Sequence, residues 1–421
     1  MTTFPNIRKK IFPSSFHQLI VASLLIGFLS AFLAITLKRI TEHYETIFLG
    51  QAMEHPVYFF VFPFFGLSVV YFLRLYLFRR KENKGIKEIF ESFSPEAKNL
   101  PIYKIPSHFI NGFLTVIFGG STGIEVSTVV ASATLGSVAQ QKEHSLYQYK
   151  NELICAGVAA GITALFGSPI AGILFAFEVI SKKRTSTFFI TTIVAVCMAS
   201  GLIYVADEQP LFAIDVTIWH WYAIPYFLLM GILSGLHSVY LTRCVLLFKN
   251  QFSKISVHFH RILLAVAILS ISLVLLPQLY GDGYHAINRI LDTANPFTLS
   301  FLFTVGGILL LKPIVTSATL AAGGDGGIFA PSLFIGAFLG LFTSVALNSA
   351  FGIGLLPVNF MILGMAAMLS ASIHAPFTAL FLVCGIVNDY TLFFPLLAVC
   401  LISKYTAKLV CPYTVYSFRN A

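Results

Sequence analysis

The chain carries one glycine-led passage twice, and this duplication constrains its fold more than any other feature. GGSTGIEVSTVVASATLG, Gly119 to Gly136, returns as GGDGGIFAPSLFIGAFLG, Gly323 to Gly340. Gly119/Gly323, Gly120/Gly324, Gly123/Gly327, Ile124/Ile328, Ala133/Ala337, Leu135/Leu339 and Gly136/Gly340 stand in register. Further along each half, GVAAGITALFGSP (Gly157 to Pro169) matches GMAAMLSASIHAP (Gly364 to Pro376) without a gap. Two blocks in the same order make an internal repeat. In an apolar chain, glycines opening apolar segments point to helices that break at membrane depth, where two halves meet around a permeant species.

The chain is apolar throughout: 57% of residues are hydrophobic and 11% charged, against about 25% charged in soluble domains. No stretch is polar enough to form a soluble domain, so the whole reads as one membrane unit. Phe16 to Leu37 is too long for a signal peptide and is expected to span the bilayer, after a cytoplasmic segment at 1–15. Val57 to Phe78, Ser186 to Val205, Tyr222 to Phe248 and Ile262 to Leu279 also reach spanning length, about 20 residues. Other apolar runs are short or interrupted by Gly and Pro: Phe109 to Phe118, Leu153 to Phe166, Ile170 to Ile180, Leu299 to Leu311, Ile328 to Leu347, Phe360 to Ala371 and Phe377 to Val387. These suit half-helices and tilted segments. The expected fold is all-α and polytopic, with a first repeat at 16–205 and a second at 206–421 that ends in a short pore-lining helix.

Charge placement supplies an orientation. Arg8-Lys9-Lys10, Arg79-Arg80-Lys81, Lys182-Lys183-Arg184 and the set Arg243, Lys249, Lys254, Arg261 alternate with Glu42, Glu45, Glu54 and then Asp207, Glu208, Asp215. The positive-inside rule then places both termini in the cytoplasm. The first Ala-Ala-to-Pro block runs into Lys182-Lys183-Arg184 and ends inside. The second runs into Asn388-Asp389-Tyr390 and ends outside, so the repeats have inverted topology. The net charge of +9 follows from this bias; it implies anionic lipid headgroups nearby and no nucleic acid.

Gly-Gly-x-x-Gly before an apolar helix leaves backbone N–H groups free at a helix N-terminus, which attracts an anion. Close helix packing is the alternative reason for such glycines. Two termini from opposite halves would wrap a small anion without a full positive charge beside it, which favours release and throughput. Enzyme motifs are missing: there is no H-E-x-x-H, G-x-S-x-G or Walker A sequence. His374, beside Pro376, reads as a packed or hydrogen-bonded core residue. The six cysteines show no C-x-x-C pair and read as small core residues, with no disulfide, metal site or cofactor. A cation transporter would need buried carboxylates, and few lie within the spans.

The motifs resemble the CLC family of chloride channels and chloride/proton exchangers over nearly the whole transmembrane unit. GGIFAP at Gly326 to Pro331 and SPIAGILFAFE at Ser168 to Glu178 are the specific matches. KGIKEI at Lys84 to Ile89 stands at the GSGIPE-like loop, GSTGIE at Gly120 to Glu125 at G-[RK]-E-G-P, and TVYS at Thr414 to Ser417 at the final pore tyrosine. The chain to Ala421 has no stretch for the cytoplasmic regulatory domains that many members carry. The resemblance implies an anion site lined by Lys84, Gly85, Ile86, Gly120, Thr122, Gly123, Gly326, Gly327, Ile328, Phe329 and Tyr416. Ile328 and Phe329 would bind through backbone N–H groups and Tyr416 through its hydroxyl, with Tyr413 as the substitute. It also implies a homodimer in a bacterial inner membrane.

The departures from that family point away from proton exchange. Thr122 stands in the place of the gating glutamate and cannot ionise. Val179 stands in the place of the inner proton-transferring acid, with Glu178 as its neighbour. A passive chloride channel is therefore the expected function. An exchanger using a displaced acid and a fluoride-selective transporter are the alternatives. Glu125, one helical turn past Thr122 and expected on the same face, is either a displaced gate or a structurally satisfied acid. Lys84, at the serine position, either draws anions into the inner vestibule, binds one tightly enough to slow conduction, or is solvated. Asp325 is expected to cap the following helix.

Overall fold

The first apolar run continues far past its expected end. Helix α1 covers Ser14–Glu54; at 1.5 Å per residue it is about 60 Å long, roughly twice the hydrocarbon thickness of a bilayer. Its charged second half belongs to the fold because those charges are paired: Lys38 Nζ lies 3.2 Å from Glu208 Oε2, and Glu45 is buried. This is a computed structural model describing residues 14–78, 83–93, 99–142, 144–181, 185–212, 214, 216, 218–291 and 299–418. Arg8-Lys9-Lys10, Arg79-Arg80-Lys81, Lys182-Lys183-Arg184 and Asp215 lie outside the described residues.

Helix α2 (Tyr58–Phe72) runs into a π turn at Leu73–Leu77; α3 (Ile86–Ser92), α4 (Lys104–Ile117), α5 (Glu125–Lys142) and α6 (Lys150–Phe166) follow. Helix α7 (Pro169–Phe175) extends through a π turn to Ile180, and α8 (Ser186–Val205) closes the first half. The second half holds α9 (Ile224–Ser253), α10 (His258–Leu275), α11 (Tyr284–Leu291), α12 (Leu299–Ala321), α13 (Phe329–Phe351), α14 (Pro357–Ile373), α15 (Pro376–Val387) and α16 (Phe393–Val410). Among the described residues, eight helices are long and apolar enough to cross a membrane, and no strand forms beyond one isolated bridge. The protein is an integral multi-pass membrane protein.

Leu299 to Leu311, among the runs that suit half-helices or tilted segments, belongs to a full-length helix: α12 passes through Pro313 unbroken. A proline removes the donor for the carbonyl four residues back, that of Leu309, and the Tyr240 hydroxyl donates to the next carbonyl, Leu310 O, at 2.9 Å. His374 is half-buried and closes α14 in a left-handed conformation (φ +57°), where Gly167 (φ +63°) closes α6, so it is a helix stop and not a packed core residue. Cys197 is exposed and Cys244 half-buried, contrary to the all-core expectation for the cysteines; the other four are buried.

The repeat glycines pack helices in matching pairs. A Cβ at Gly136 would overlap the Leu153 carbonyl on α6, and one at Gly340 would overlap the Phe360 carbonyl on α14. Backbone on backbone leaves no flexible group to yield. Gly340→Val is expected to destabilise the fold by about 1–3 kcal/mol or more through overpacking, read as an earlier unfolding midpoint in detergent.

Candidate anion site

Two loops cross at the centre of the fold. Gly119 (φ +82°) and Gly323 (φ +98°) turn the chain out of α4 and α12 through the left-handed region, which glycine enters without a Cβ penalty. The loops then pass antiparallel and bridge at Gly123 and Gly327, with the Gly123 N–H donating to Gly327 O at 3.5 Å. Reciprocal bonds flank the bridge: Ser121 N–H donates to Thr319 Oγ1 (3.2 Å), and Asp325 N–H donates to Thr115 Oγ1 (3.0 Å). Thr115 and Thr319 are equivalent repeat positions, as are Ser121 and Asp325. An antiparallel bridge between equivalent residues is what a two-fold axis produces, so the halves are inverted copies around this point.

Helices α5 and α13 begin just beyond the bridge, and the N–H groups of their first turns have no intrahelical partners. Ile328 and Phe329 are fully buried at the start of α13, and Phe329 packs against Phe166 and Phe175. The Tyr416 hydroxyl is buried beside the Ile328 N–H without completing a hydrogen bond, and lies 3.2 Å from where a Gly327 Cβ would stand. Tyr416 thus reaches the crossing, while Tyr413 is exposed. TVYS forms a turn and not a short helix. Val126 joins the third element: its Cγ1 would meet a Cβ at Gly85 (φ +64°) at 3.2 Å, and its Cγ2 faces Gly327. Ile86, first in α3, is buried beneath.

Thr122, Gly120 and Gly326 lie in the crossing loops but bond or pack within the protein, and Lys84 lies away from them. The Lys84 ammonium pairs with Glu91 at 3.3 Å and is largely exposed, so it does not reach the crossing. Glu88 anchors the loop, accepting from the Lys84 N–H and from Lys104 Nζ (2.9 Å). Thr122 lies in the loop before α5, so it shares no helical face with Glu125; its hydroxyl donates to Asp325 O at 3.2 Å. Gly120 abuts Thr115 and Thr319, and the Gly326 N–H donates to Asp325 Oδ1 at 3.1 Å. Asp325 does not cap α13. Its buried carboxylate accepts from Asn83 (2.5 Å) and lies 3.2 Å from His108 Nδ1 and 3.8 Å from Arg74. The Arg74 guanidinium offsets, and the Asn83 amide solvates, a charge that would otherwise repel an anion. Glu178 accepts from the Thr378 N–H and hydroxyl, both at 2.7 Å, which caps the start of α15; Val179 packs against the core.

Glu125 is the acid at the crossing. It is 2% exposed, its Oε1 accepts from the Tyr284 hydroxyl at 2.7 Å, and its Oε2 completes no hydrogen bond. That free oxygen lies where a Gly123 Cβ would stand and beside the backbone of Ala330 in the first turn of α13. The carboxylate therefore bends back from α5 toward the opposite helix start. A cavity of about 360 Å3, lined by Lys38, Arg39, Glu42, Asp282, Tyr284 and His285 among others, reaches the same tyrosine. Sequence reading missed Tyr284 altogether. Glu45 and Lys312, ionisable groups inside apolar runs, carried a usable signal.

The sequence profile described as voltage gated chloride channel matches residues 65–408. The chain belongs to this family. It is 26% identical over 320 residues, 72% of this chain and 71% of the relative, to a ClcB-like chloride channel protein from Ralstonia nicotianae. It is 26% identical over 336 residues, 74% of this chain and 68% of the relative, to the H(+)/Cl(-) exchange transporter ClcA from Vibrio parahaemolyticus. The voltage-gated ClC-type chloride channel ClcB from Salmonella typhi is 25% identical over 305 residues, 70% of each chain. The fold matches that of a slow cyanobacterial Cl-/H+ antiporter with a TM-score of 0.82 over 97% of both chains at 20% identity. A CLC-type fluoride/proton antiporter gives 0.77 over 95% of this chain and 97% of that one at 24% identity. Anion transport is thus the activity of the family, and its members include both channels and antiporters.

Proposed function

We propose that the protein is a passive, proton-uncoupled chloride channel whose outer gate is Glu125. The anion sits where α5 and α13 begin, held by the N–H groups of Ile328 and Phe329 and by the Tyr416 hydroxyl. The observation that carries this reading is the Glu125 carboxylate, folded back to Gly123 and Ala330 at that point. An ionised carboxylate there competes with an anion for the same donors, and protonation removes the competition. Absence of proton coupling is supported at the inner side, where Val179 cannot carry a proton and Glu178 is committed to α15. The bilayer in question is a bacterial inner membrane with both termini cytoplasmic.

An exchanger is the second reading, because Glu125 sits between the crossing and the cavity at Tyr284 and can hold a proton. A fluoride-selective transporter is the third. A homodimer fits the short helices α7 and α15, which pack on each other and leave Ile170 and Phe377 exposed, as are Phe189 on α8 and Phe394 on α16.

Reconstituted liposomes loaded with chloride or fluoride, with external pH followed during efflux, separate these readings. Chloride release without chloride-driven proton movement is expected. Uphill proton pumping driven by chloride would establish exchange, and release of fluoride alone would establish the third reading.

A further inference from the structure

Glu125 is gripped from the opposite repeat. The Tyr284 hydroxyl donates to its Oε1 at 2.7 Å. We propose that Tyr284 is the positioning residue that holds the Glu125 carboxylate in the closed gate, a role that rests on Glu125 being the gate.

The grip is built, not incidental. The Tyr284 N–H donates to Asp282 Oδ1 at 2.8 Å, which turns the chain into α11 and aims the ring inward. The Asp282 N–H donates to Glu45 Oε1 on α1 at 3.2 Å. Lys312 Nζ on α12 donates to the carbonyls of Leu279 and Gly281, both at 3.1 Å. Gly281 stands at φ +54° with Glu45 Oε1 where a Cβ would go, so the loop has one close-fitting path between α1 and α12. The Tyr284 ring meets Phe212 edge-on at 5.7 Å, and the Phe212 N–H donates to Ile386 O at 3.3 Å on α15.

Two spanning helices and α15 therefore fix the donor, while the carboxylate it holds is free at its other oxygen. Opening must break the tyrosine bond. Lys38 and Glu42 from α1, Asp282 from the loop, and Tyr284 are the other titratable groups that line the cavity wall with Glu125, and Tyr416 approaches from the C-terminal turn. Of these, Tyr284 donates directly to the carboxylate. A hydrogen bond to the charged form favours that form, so the tyrosine extends closure to lower pH than the carboxylate would reach alone.

The test is anion flux against external pH in liposomes for the wild type, Tyr284→Phe, Glu125→Gln and the double variant. Tyr284→Phe keeps the ring against Phe212, and an unchanged thermal midpoint checks the fold. The half-maximal pH is expected to rise by about one unit in Tyr284→Phe, giving up to about tenfold more flux where the wild type is nearly closed. Glu125→Gln is expected to remove the pH dependence, and the double variant to match Glu125→Gln alone. An unshifted Tyr284→Phe beside a pH-independent Glu125→Gln overturns the tyrosine's role and leaves the gate standing. A Glu125→Gln protein that keeps its pH dependence overturns the gate itself. A double variant that differs from Glu125→Gln shows Tyr284 acting on something other than the carboxylate, and also overturns the proposal.

Discussion

Glu125→Gln is expected to conduct anions at a rate that no longer falls as pH rises, and at alkaline pH to exceed the wild type by about tenfold or more, a barrier difference of about 1.4 kcal/mol. In the wild type, the ionised side chain brings a negative charge to the donors at the start of α13, with one oxygen beside Ala330 and the other held by Tyr284. A chloride arriving there meets both a like charge and an occupied site. Glutamine keeps the shape and removes the charge. Flux therefore rises as pH falls in the wild type, where protonation does what the substitution does permanently. Stopped-flow or electrode recordings of chloride efflux across a pH series check the expectation. A variant whose flux tracks pH as the wild type does would leave Glu125 a structurally satisfied acid.

Lys312→Met is expected to have the largest effect on stability, a loss of about 3–5 kcal/mol, the usual cost of removing one member of a buried charge set. Lys312 is fully buried on α12; it donates to Leu279 O and Gly281 O and lies 4.5 Å from the centre of the Phe334 ring. Asp282 and Glu45 are the acids it balances. Methionine fills much of the volume but leaves both carboxyl groups without countercharge and two carbonyls without donors. Thermal unfolding in detergent reads the loss. Adding Glu45→Gln should recover part of it, since contacting residues are not additive. A wild-type midpoint in Lys312→Met would show the network contributing nothing to the folded state.

The sequence exposed this network only in part. Lysine in the apolar run of α12 and glutamate in α1 are visible as anomalies, but their pairing needs α1, α12 and the 276–284 loop brought together. The counterpart in the other repeat behaves the same way. His108 stands at the repeat position equivalent to Lys312, and each of these buried basic side chains faces a buried acid, Asp325 for His108. That correspondence follows from the repeat, yet no linear pattern joins His108 to Asp325. Capping is a local rule and makes Asp325 a helix cap on sequence alone, whereas Arg74, Asn83 and His108 reach it from distant chain.

Glycine spacing, apolar content and the GGIFAP and SPIAGILFAFE passages determined the membrane setting, the inverted repeat, the family and the crossing of two helix starts. These are periodic or contiguous properties, and covalent order preserves them. Tertiary structure alone decided which side chains occupy that crossing. Thr122, the aligned gate position, turns into the opposite loop, and Lys84 turns to solvent. Glu125 bends back to meet a tyrosine 159 positions away. A side chain's direction depends on the backbone angles at its own position and on the space its neighbours leave, and here those neighbours come from the other half of the chain.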